Sequence, residues 1–372
     1  MFFLKVLVAV DSFKGSLSAK EACSAIREGI LRASSCANVE ILPLADGGEG
    51  TVDAVSCIDG CETISVDTFD ALMRSVKARY CILGDTAVME MAAASGIMLL
   101  AKEELNPKIT TTYGCGVMMK DALDRGISKI ILGIGGSATN DGGAGALCAL
   151  GAKLLDKSLQ ELSPGGAALK ALHKIDMSGF DKRIRDTQIT VACDVSVTLC
   201  GESGATKVFA KQKGADKSDI LLLEEALLNY GKILQDTFMM PVFDIEGGGA
   251  AGGLGAMLCV CCGAALLPGL ELIARLVRLE DRIRECDIVI TGEGKTDAST
   301  LLGKLPIAVM RLAKSHTRPC ILLSGDIDCE SSLLYDAGFS QVFKARPNGV
   351  STEYSMTHAS RLLKKRAAEI FG

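Results

Sequence analysis

The chain has 372 residues, and its 40 lysines and arginines against 45 aspartates and glutamates give a formal net charge of −5. Hydrophobic residues make up 48% and charged residues 23%, which excludes a disordered chain and predicts about two domains. The acidic balance disfavours nucleic acid as a partner, because binding a phosphate backbone requires a basic surface. Histidine occurs only 3 times, so acid–base chemistry would rest on carboxylates and lysines.

The 15 cysteines have no regular spacing, so we expect free, mostly buried thiols in a reducing cytoplasm rather than a disulfide framework. Leu4–Val10 is interrupted by Lys5 and has no cleavage site after it, which favours a buried strand over an export signal. The uncharged segment Gly247–Leu270 is rich in glycine. We therefore expect a turn and a buried helix there, not a membrane span.

The first third of the chain predicts strands and a helix in alternation. Leu4–Val10 is a β-branched run, Ala19–Ala33 has apolar residues at helical spacing, and Val39–Leu44 predicts a second strand. Short strands joined by tight turns are expected next, as an antiparallel piece formed by Thr63–Val66, Ser75–Leu83 and Ala87–Ala92.

The rest of the chain restores the alternation of strand and helix. Lys129–Gly133 and Ile189–Asp194 are predicted strands that lead into polar loops, and Ile220–Leu234 is a predicted helix. Three strands and a basic helix are expected in the last third, at Asp287–Thr291, Cys320–Ser324, Gln341–Lys344 and Ala359–Phe371.

This order predicts an α/β protein with two domains. Residues 1–61 and 268–372 would form a Rossmann-like or flavodoxin-like domain, with parallel strands in the order 2-1-3-4-5 or close to it. Residues 62–267 would form a second α/β domain, inserted into the first. We expect the active site in the cleft between the domains, since such clefts commonly bind small molecules.

Glycine-rich loops with carboxylates or hydroxyls follow four predicted strands of the first domain. They are residues 11–16, 45–51, 292–297 and 325–326. Ligands bind beyond the carboxyl ends of parallel strands, and four such loops at one edge favour a functional site over ordinary turns.

The inserted domain contains two further loops of this type. Residues 133–143 join a strand to an alanine-rich helix, and their freed N–H groups would suit a phosphate. The segment also imitates a dinucleotide fingerprint at Gly133-x-Gly135-x-x-Ala138, which keeps a dinucleotide-dependent oxidoreductase of a small hydroxy acid open as an alternative. Asp194, at the end of an otherwise apolar strand, begins the second loop.

Together the loops supply phosphate cradles, lysines and carboxylates able to hold Mg²⁺. Phosphoryl transfer requires such groups, because it needs cations around the transferring oxygens and a carboxylate that accepts a hydroxyl proton. Histidine is dispensable in that reaction, in agreement with its scarcity.

The loop sequences resemble those of the type I (bacterial) glycerate kinases, in the family's order and over nearly the whole chain. The matching blocks are residues 11–19, 45–51, 133–145, 193–195, 212–215, 249–256 and 290–294. The resemblance implies ATP-dependent phosphorylation of D-glycerate, generally at the 2-hydroxyl to give 2-phospho-D-glycerate, with Mg²⁺. Ser299 departs from the pattern, since the family usually has glutamine two residues after Asp297. The residues alone leave open the acceptor hydroxyl, the domain that binds adenine, and whether the chain forms a homodimer.

Within this resemblance we assign the following roles as expectations. Asp194 and Lys14 are the candidates for catalysis, with a capping carboxylate and a solvated loop lysine as their plain alternatives. The expected substrate-binding residues are Asp11, Ser12, Lys14, Asp46 and Glu49. The expected nucleotide-binding residues are Gly135, Gly136, Ser137, Thr139, Asn140 and Asp141. The expected metal ligands are Asp194, Glu293 and Asp297, the last of which could instead be a helix N-cap.

Overall fold

The computed structural model describes residues 4–48 and 50–372. Its strands, in chain order, are β1 Lys5–Val8, β2 Asn38–Ile41, β3 Cys61–Phe69, β4 Ser75–Leu83, β5 Thr86–Glu90, β6 Lys129–Gly133, β7 Lys153–Leu155, β8 Lys174–Asp176, β9 Gln188–Ala192, β10 Ala265–Leu267, β11 Ile288–Thr291, β12 Lys295–Asp297, β13 Cys320–Ser324, β14 Asp326–Asp328 and β15 Gln341–Lys344.

The α-helices, in the same order, are α1 Ala19–Ala33, α2 Thr51–Val55, α3 Ala92–Ser95, α4 Tyr113–Asp124, α5 Ala144–Ala149, α6 Ala205–Phe209, α7 Lys217–Phe238, α8 Ala250–Cys262, α9 Gly269–Leu276, α10 Leu279–Glu285, α11 Leu305–Ser315, α12 Ser331–Ala337, α13 Thr352–Thr357 and α14 Ala359–Phe371. Short 3-10 helices occur at Ile97–Leu99, Lys102–Glu104, Gly166–Ala171, Lys182–Asp186, Lys211–Lys213, Val242–Asp244 and Thr300–Leu302.

The described residues divide into two compact units, of which the first contains residues 4–46, 53–59 and 270–372. Its five-stranded sheet has the order β2-β1-β11-β13-β15, and every neighbouring pair is parallel. The predicted α/β class and the strand order 2-1-3-4-5 are therefore confirmed. Because the strands are parallel, their carboxyl ends and the loops that follow lie at one edge of this sheet.

Helix α1 shows how the sequence specifies this unit locally. Ser18 accepts a hydrogen bond from the Glu21 N–H at 3.2 Å, and Glu21 accepts one from the Ser18 N–H at 2.9 Å, which forms a capping box. Ala22, Ile26 and Ile30 recur at helical spacing and are fully buried. The helix therefore has the predicted bounds.

The second unit contains residues 47–52, apart from Glu49, and residues 60–269. Its six-stranded sheet has the order β10-β9-β6-β5-β4-β3. Strands β3, β4 and β5 are antiparallel, as predicted for this piece, whereas β5, β6, β9 and β10 are parallel to one another. The domain boundaries predicted at residues 61 and 268 stay a prediction.

Some predicted elements have different bounds in the structure. The strand predicted over Ala87–Ala92 ends at Glu90, and the alanine-rich segment after it forms the short helix α3, because alanine favours helix. Helix α7 begins earlier than predicted, since Asp216 caps it by accepting a hydrogen bond from the Asp219 N–H at 2.8 Å.

The apolar segment Gly247–Leu270 contains the buried helix α8, whose first turn is broken by left-handed backbone at Ala251–Gly253. None of the helices that the structure describes combines the length and the apolarity needed to cross a membrane. The fifteen cysteines are free thiols.

Gly29 on α1 provides a test of the packing in the first unit. An added Cβ would lie 2.2 Å from the Lys364 carbonyl oxygen and 2.7 Å from Ala367 Cβ, both on α14. Alanine would gain up to about 1 kcal/mol of helix propensity, but it would overpack a backbone contact. We expect Gly29→Ala to lower the free energy of unfolding by about 1–3 kcal/mol, measured by urea denaturation. The exposed Arg27→Ala on the same helix should stay within about 0.5 kcal/mol of wild type, and an equal or higher midpoint for Gly29→Ala would contradict the prediction.

Candidate active site

In the second unit, three parallel strands end side by side. The register pairs Glu90 of β5 with Gly133 of β6, and Gly133 with Ala192 of β9. These residues therefore mark one edge of the sheet, where the loops beginning at Ile134 and Cys193 leave the strands. Two of the predicted functional loops are thus brought together by strand pairing alone.

The loop of Gly47 and Gly48 packs directly against this edge. Gly47 has a φ of +87°, and a Cβ there would lie 2.4 Å from Ala192 Cβ, while a Cβ on Gly133 would lie 2.1 Å from the Gly47 carbonyl oxygen. A Cβ on Gly135 would lie 3.0 Å from Gly48 Cα. The glycines are required because backbone contacts backbone at this point.

Two carboxylates hold the segments around that contact. Glu90 is 8% exposed, and its Oε1 accepts a hydrogen bond from the Val52 N–H at 2.7 Å. Asp194 is exposed, and its Oδ1 accepts a hydrogen bond from the Gly269 N–H at 2.9 Å. Gly269 is the first residue of α9, so Asp194 caps this helix, and the capping carboxylate stays its plain alternative beside the predicted catalytic role.

The loop after β6 is organised by Asp141, which is fully buried. Its carboxylate accepts five hydrogen bonds, which come from the Thr111 hydroxyl, the Thr112 N–H and hydroxyl, and the N–H groups of Gly143 and Gly145. Burial raises the pKa of Asp141, and these hydrogen bonds oppose that effect. The carboxylate is thus saturated by the protein's own donors.

The other predicted nucleotide-binding residues of this loop differ in their surroundings. Gly136 has a φ of +71°, and its carbonyl oxygen accepts a hydrogen bond from the Ile97 N–H at 2.8 Å. Ser137 is 9% exposed. Thr139 and Asn140 are fully buried, and the Asn140 side-chain amide donates a hydrogen bond to the Thr206 hydroxyl at 3.0 Å.

In the first unit, carboxylates gather after β1, β2 and β11. Burial raises the pKa of Asp11 to about 6, and the negative charges of Asp46 and Glu293 add to the effect while Lys14 opposes it. The Asp11 N–H donates to the Gly292 carbonyl oxygen at 2.9 Å. The predicted residues Asp11, Lys14, Asp46 and Glu293 therefore share one electrostatic environment. Ser12 is held beside them by a hydrogen bond from its N–H to Asp11 Oδ1 at 2.6 Å.

Glu293 is buried in a small hydroxyl network. Its Oε1 accepts hydrogen bonds from the Thr296 hydroxyl at 3.1 Å and the Thr300 hydroxyl at 2.7 Å. Burial raises the pKa of Glu293, and the hydrogen bond from Thr300 opposes this. Asp297 accepts hydrogen bonds from the N–H and hydroxyl of Ser299, the residue that departs from the resembled pattern. The Ser299 hydroxyl is thus engaged with Asp297.

Among residues 4–48 and 50–372, no group of three or more histidine, cysteine, aspartate or glutamate side chains is placed to bind a metal ion. Asp194 belongs to the second unit, whereas Glu293 and Asp297 belong to the first. Mg²⁺ often binds through only one or two carboxylates, with several waters and substrate phosphates as the other ligands, so such a site does not require three protein side chains. Glu49, predicted to bind substrate, lies outside the described residues.

Two buried charged residues of the second unit were not predicted to have a role. Glu90 lies within the predicted strand Ala87–Ala92 and received no role there, although a single carboxylate in an apolar run is a usable signal. Lys213 lies in the block of residues 212–215 that resembles the glycerate kinases. Its side chain is only 1% exposed, and the neighbouring residues in the sequence do not indicate this burial.

Comparison with known proteins identifies the family. The model of the glycerate kinase family matches residues 6–372. A protein named glycerate kinase from Bacillus subtilis (strain 168) is 42% identical over 369 residues, covering 99% of this chain and 97% of the relative. A protein named glycerate 2-kinase from Escherichia coli (strain K12) is 42% identical over 343 residues, covering 91% of this chain and 90% of the relative.

A crystal structure described as glycerate kinase 2 from Salmonella typhimurium LT2 superposes with a TM-score of 0.88 at 40% identity, covering 100% of this chain and 98% of that one. The oxidoreductase alternative finds no support among these relatives. The family match and the relatives' identities over nearly the full length show that the chain belongs to the glycerate kinase family.

Proposed function

We propose that this kinase transfers the terminal phosphoryl group of ATP to the 2-hydroxyl of D-glycerate and releases 2-phospho-D-glycerate. The observation that carries the proposal is the 42% identity, over 343 residues, to the Escherichia coli protein named glycerate 2-kinase. The glycine loops and carboxylates at the carboxyl ends of both sheets support it, because parallel sheets bind ligands there.

In this proposal the turn Gly135–Ser137 holds the phosphates of the nucleotide. The beginning of α5 is a weaker candidate, since the Gly145 N–H donates to Asp141 at 3.2 Å and the Ala146 N–H donates to the Thr112 hydroxyl at 3.0 Å. Those donors are satisfied by the protein. Asp141 would then keep the loop in shape, and direct nucleotide contacts of Thr139, Asn140 and Asp141 stay predictions.

Asp194 is proposed as the base that accepts the proton of the attacking hydroxyl. It is exposed, two residues after the end of β9, and a carboxylate can fulfil this role when it is positioned next to the nucleophile. Lys14 would neutralise the glycerate carboxylate or the transferring phosphoryl oxygens. Asp11, Ser12 and Asp46 would bind the glycerate hydroxyls.

Mg²⁺ belongs to the same proposal. When bound, it would neutralise charge on the phosphate oxygens. Asp194, Glu293 and Asp297 stay the candidates to hold it, with water and phosphate as further ligands. A cytoplasmic location and a homodimer also stay predictions.

The proposed reaction is tested with purified full-length protein, D-glycerate and MgATP. We expect glycerate-dependent release of ADP, and separation of the two phosphoglycerates should show the 2-isomer as product. Replacing D-glycerate by L-glycerate is the matched control and should strongly reduce turnover. Release of ADP without dependence on glycerate, or formation of the 3-isomer, would contradict the proposal in its substrate or in its acceptor position, respectively.

Asp194→Asn tests the proposed base. Asparagine keeps an oxygen that can accept the Gly269 hydrogen bond, so the fold should survive while the basicity is lost. We expect kcat to fall by about 10²–10⁴-fold, with an unchanged urea midpoint. The exposed Asp186→Asn in the same unit should keep wild-type kcat, and a wild-type kcat for Asp194→Asn would exclude Asp194 as the base.

The pKa of Asp11 makes a prediction for stability. Because that pKa is raised from 3.8 to about 6 in the folded state, the folded protein binds this proton more tightly than the unfolded chain does. Asp11 therefore lowers the free energy of unfolding as the pH rises from about 4 through about 6.

Asp11→Asn removes this contribution and should become more stable relative to wild type as the pH rises through that window. Urea denaturation at pH 4, 5, 6 and 7 measures the difference between the two proteins. A difference between Asp11→Asn and wild type that does not change with pH would show that the Asp11 pKa is not raised.

A further inference from the structure

Lys213 is an almost fully buried charged side chain that contacts the candidate nucleotide loop. It ends the 3-10 helix Lys211–Lys213 and is 1% exposed. Burying an ammonium group is costly unless hydrogen bonds replace its hydration. Lys213 Nζ donates to Ser137 Oγ at 2.8 Å and to the Thr139 carbonyl oxygen at 2.6 Å. The side chain therefore joins Lys211–Lys213 to the loop that follows β6.

The electrostatic surroundings of Lys213 come from the same loop. Burial lowers the pKa of Lys213 to about 7, and the negative charge of Asp141 opposes this. Asp141 is itself saturated by five donors of its own neighbourhood. Among residues 4–48 and 50–372, no carboxylate forms an ion pair with Lys213 that would explain its burial, and its two hydrogen bonds both go to neutral oxygens of the loop.

The hydrogen bond to Ser137 restricts what that hydroxyl can do. A serine hydroxyl has one proton and two lone pairs, and Lys213 occupies one lone pair. In the part of the chain that the structure describes, Ser137 Oγ has no hydrogen bond besides this one. Its proton therefore stays available for an acceptor that is not part of the described protein. A phosphate oxygen is such an acceptor.

Two further polar atoms of the loop lack a hydrogen-bond partner within the described part of the protein. Thr139 Oγ1 and Asn140 Oδ1 are buried and have no hydrogen-bond partner among the described residues. A buried polar atom without a partner costs free energy, so such atoms often indicate a place where a ligand or an ordered water binds. They lie within three residues of Ser137 in the sequence, next to the turn Gly135–Ser137.

We infer that Lys213 is a positioning residue for the nucleotide phosphates: its hydrogen bonds to Ser137 Oγ and to the Thr139 carbonyl fix the turn Gly135–Ser137, so that the Ser137 hydroxyl donates to a phosphate oxygen. The inference rests on the proposed function, because it takes this turn as the phosphate site. Lys213 acts through Ser137 and does not itself touch the substrate.

The test combines Lys213→Met, Ser137→Ala and the double variant in the full-length enzyme. Kd for MgADP is measured by calorimetry without glycerate, and KM for MgATP and for D-glycerate is measured separately. We expect each single change to weaken MgADP binding and raise KM for MgATP by about tenfold, as for one hydrogen bond to a charged group. KM for D-glycerate should stay close to wild type.

The double variant decides whether Lys213 acts through Ser137. The two changes should not add, because the second removes an interaction that the first has already disrupted. Lys211→Met, which changes an exposed lysine of the same 3-10 helix, should bind MgADP as wild type does. Additive losses, or wild-type MgADP binding by Lys213→Met, would overturn the inference.

If Lys213→Met does not fold, the inference is tested by comparing the MgADP affinities of Ser137→Ala and Ser137→Thr. Threonine keeps the hydroxyl and should restore most of the MgADP affinity that alanine loses, which a merely structural role would not predict. Equal affinity of both variants would overturn the inference. Wild-type protein that binds MgADP but does not phosphorylate glycerate would instead contradict the proposed substrate and leave the role of Lys213 intact.

Discussion

The hydrogen bonds to the buried carboxylate of Asp141 are the interaction on which the loop after β6 in the second unit depends. A charged group with no exposed surface is tolerated only when donors replace its water shell, and five donors from two chain segments do so. They come from Thr111 and Thr112 on one side and from Gly143 and Gly145 on the other. The carboxylate therefore ties the start of α4 to the start of α5 and fixes the path of the loop after β6.

Glycine at the carboxyl ends of the strands completes this arrangement. The Gly47 carbonyl would lie 2.1 Å from a Cβ at Gly133, a distance that no side chain could accommodate without moving backbone. Backbone packed on backbone brings N–H and carbonyl groups of different segments close together, which suits recognition of a small, highly charged ligand. Glycine therefore has a specific physical use at these positions.

The first unit places several carboxylates close together. Burial raises the pKa of Asp11 to about 6, and repulsion from the negative charges of Asp46 and Glu293 adds to that effect. Such a group is destabilising at neutral pH in the isolated protein. Under the proposed function, a bound cation or a substrate hydroxyl would compensate for this repulsion, and a cost in stability is common at binding sites.

Much of this protein could be predicted from its sequence. Ala19–Ala33 was predicted with its correct bounds because its apolar spacing is a local signal, and the parallel sheet order followed from the alternation of strands and helices. The family followed from the loop blocks, because these are short, specific patterns that occur in the family's order along the chain. Burial and partner choice could not be read in this way, since they depend on segments far apart in the chain.

Asp141 and Lys213 illustrate the limit. As sequence, Asp141 is one more polar residue in a glycine loop and Lys213 is one more lysine, yet the fold makes both fully or almost fully buried. The partners of Lys213 are more than seventy residues away along the chain. The sequence by itself determined the elements, their order and the family, because those depend on local spacing and short motifs. Only the tertiary structure decided which charges are buried and which oxygen each one contacts, because desolvation and hydrogen bonding depend on what packs around a side chain.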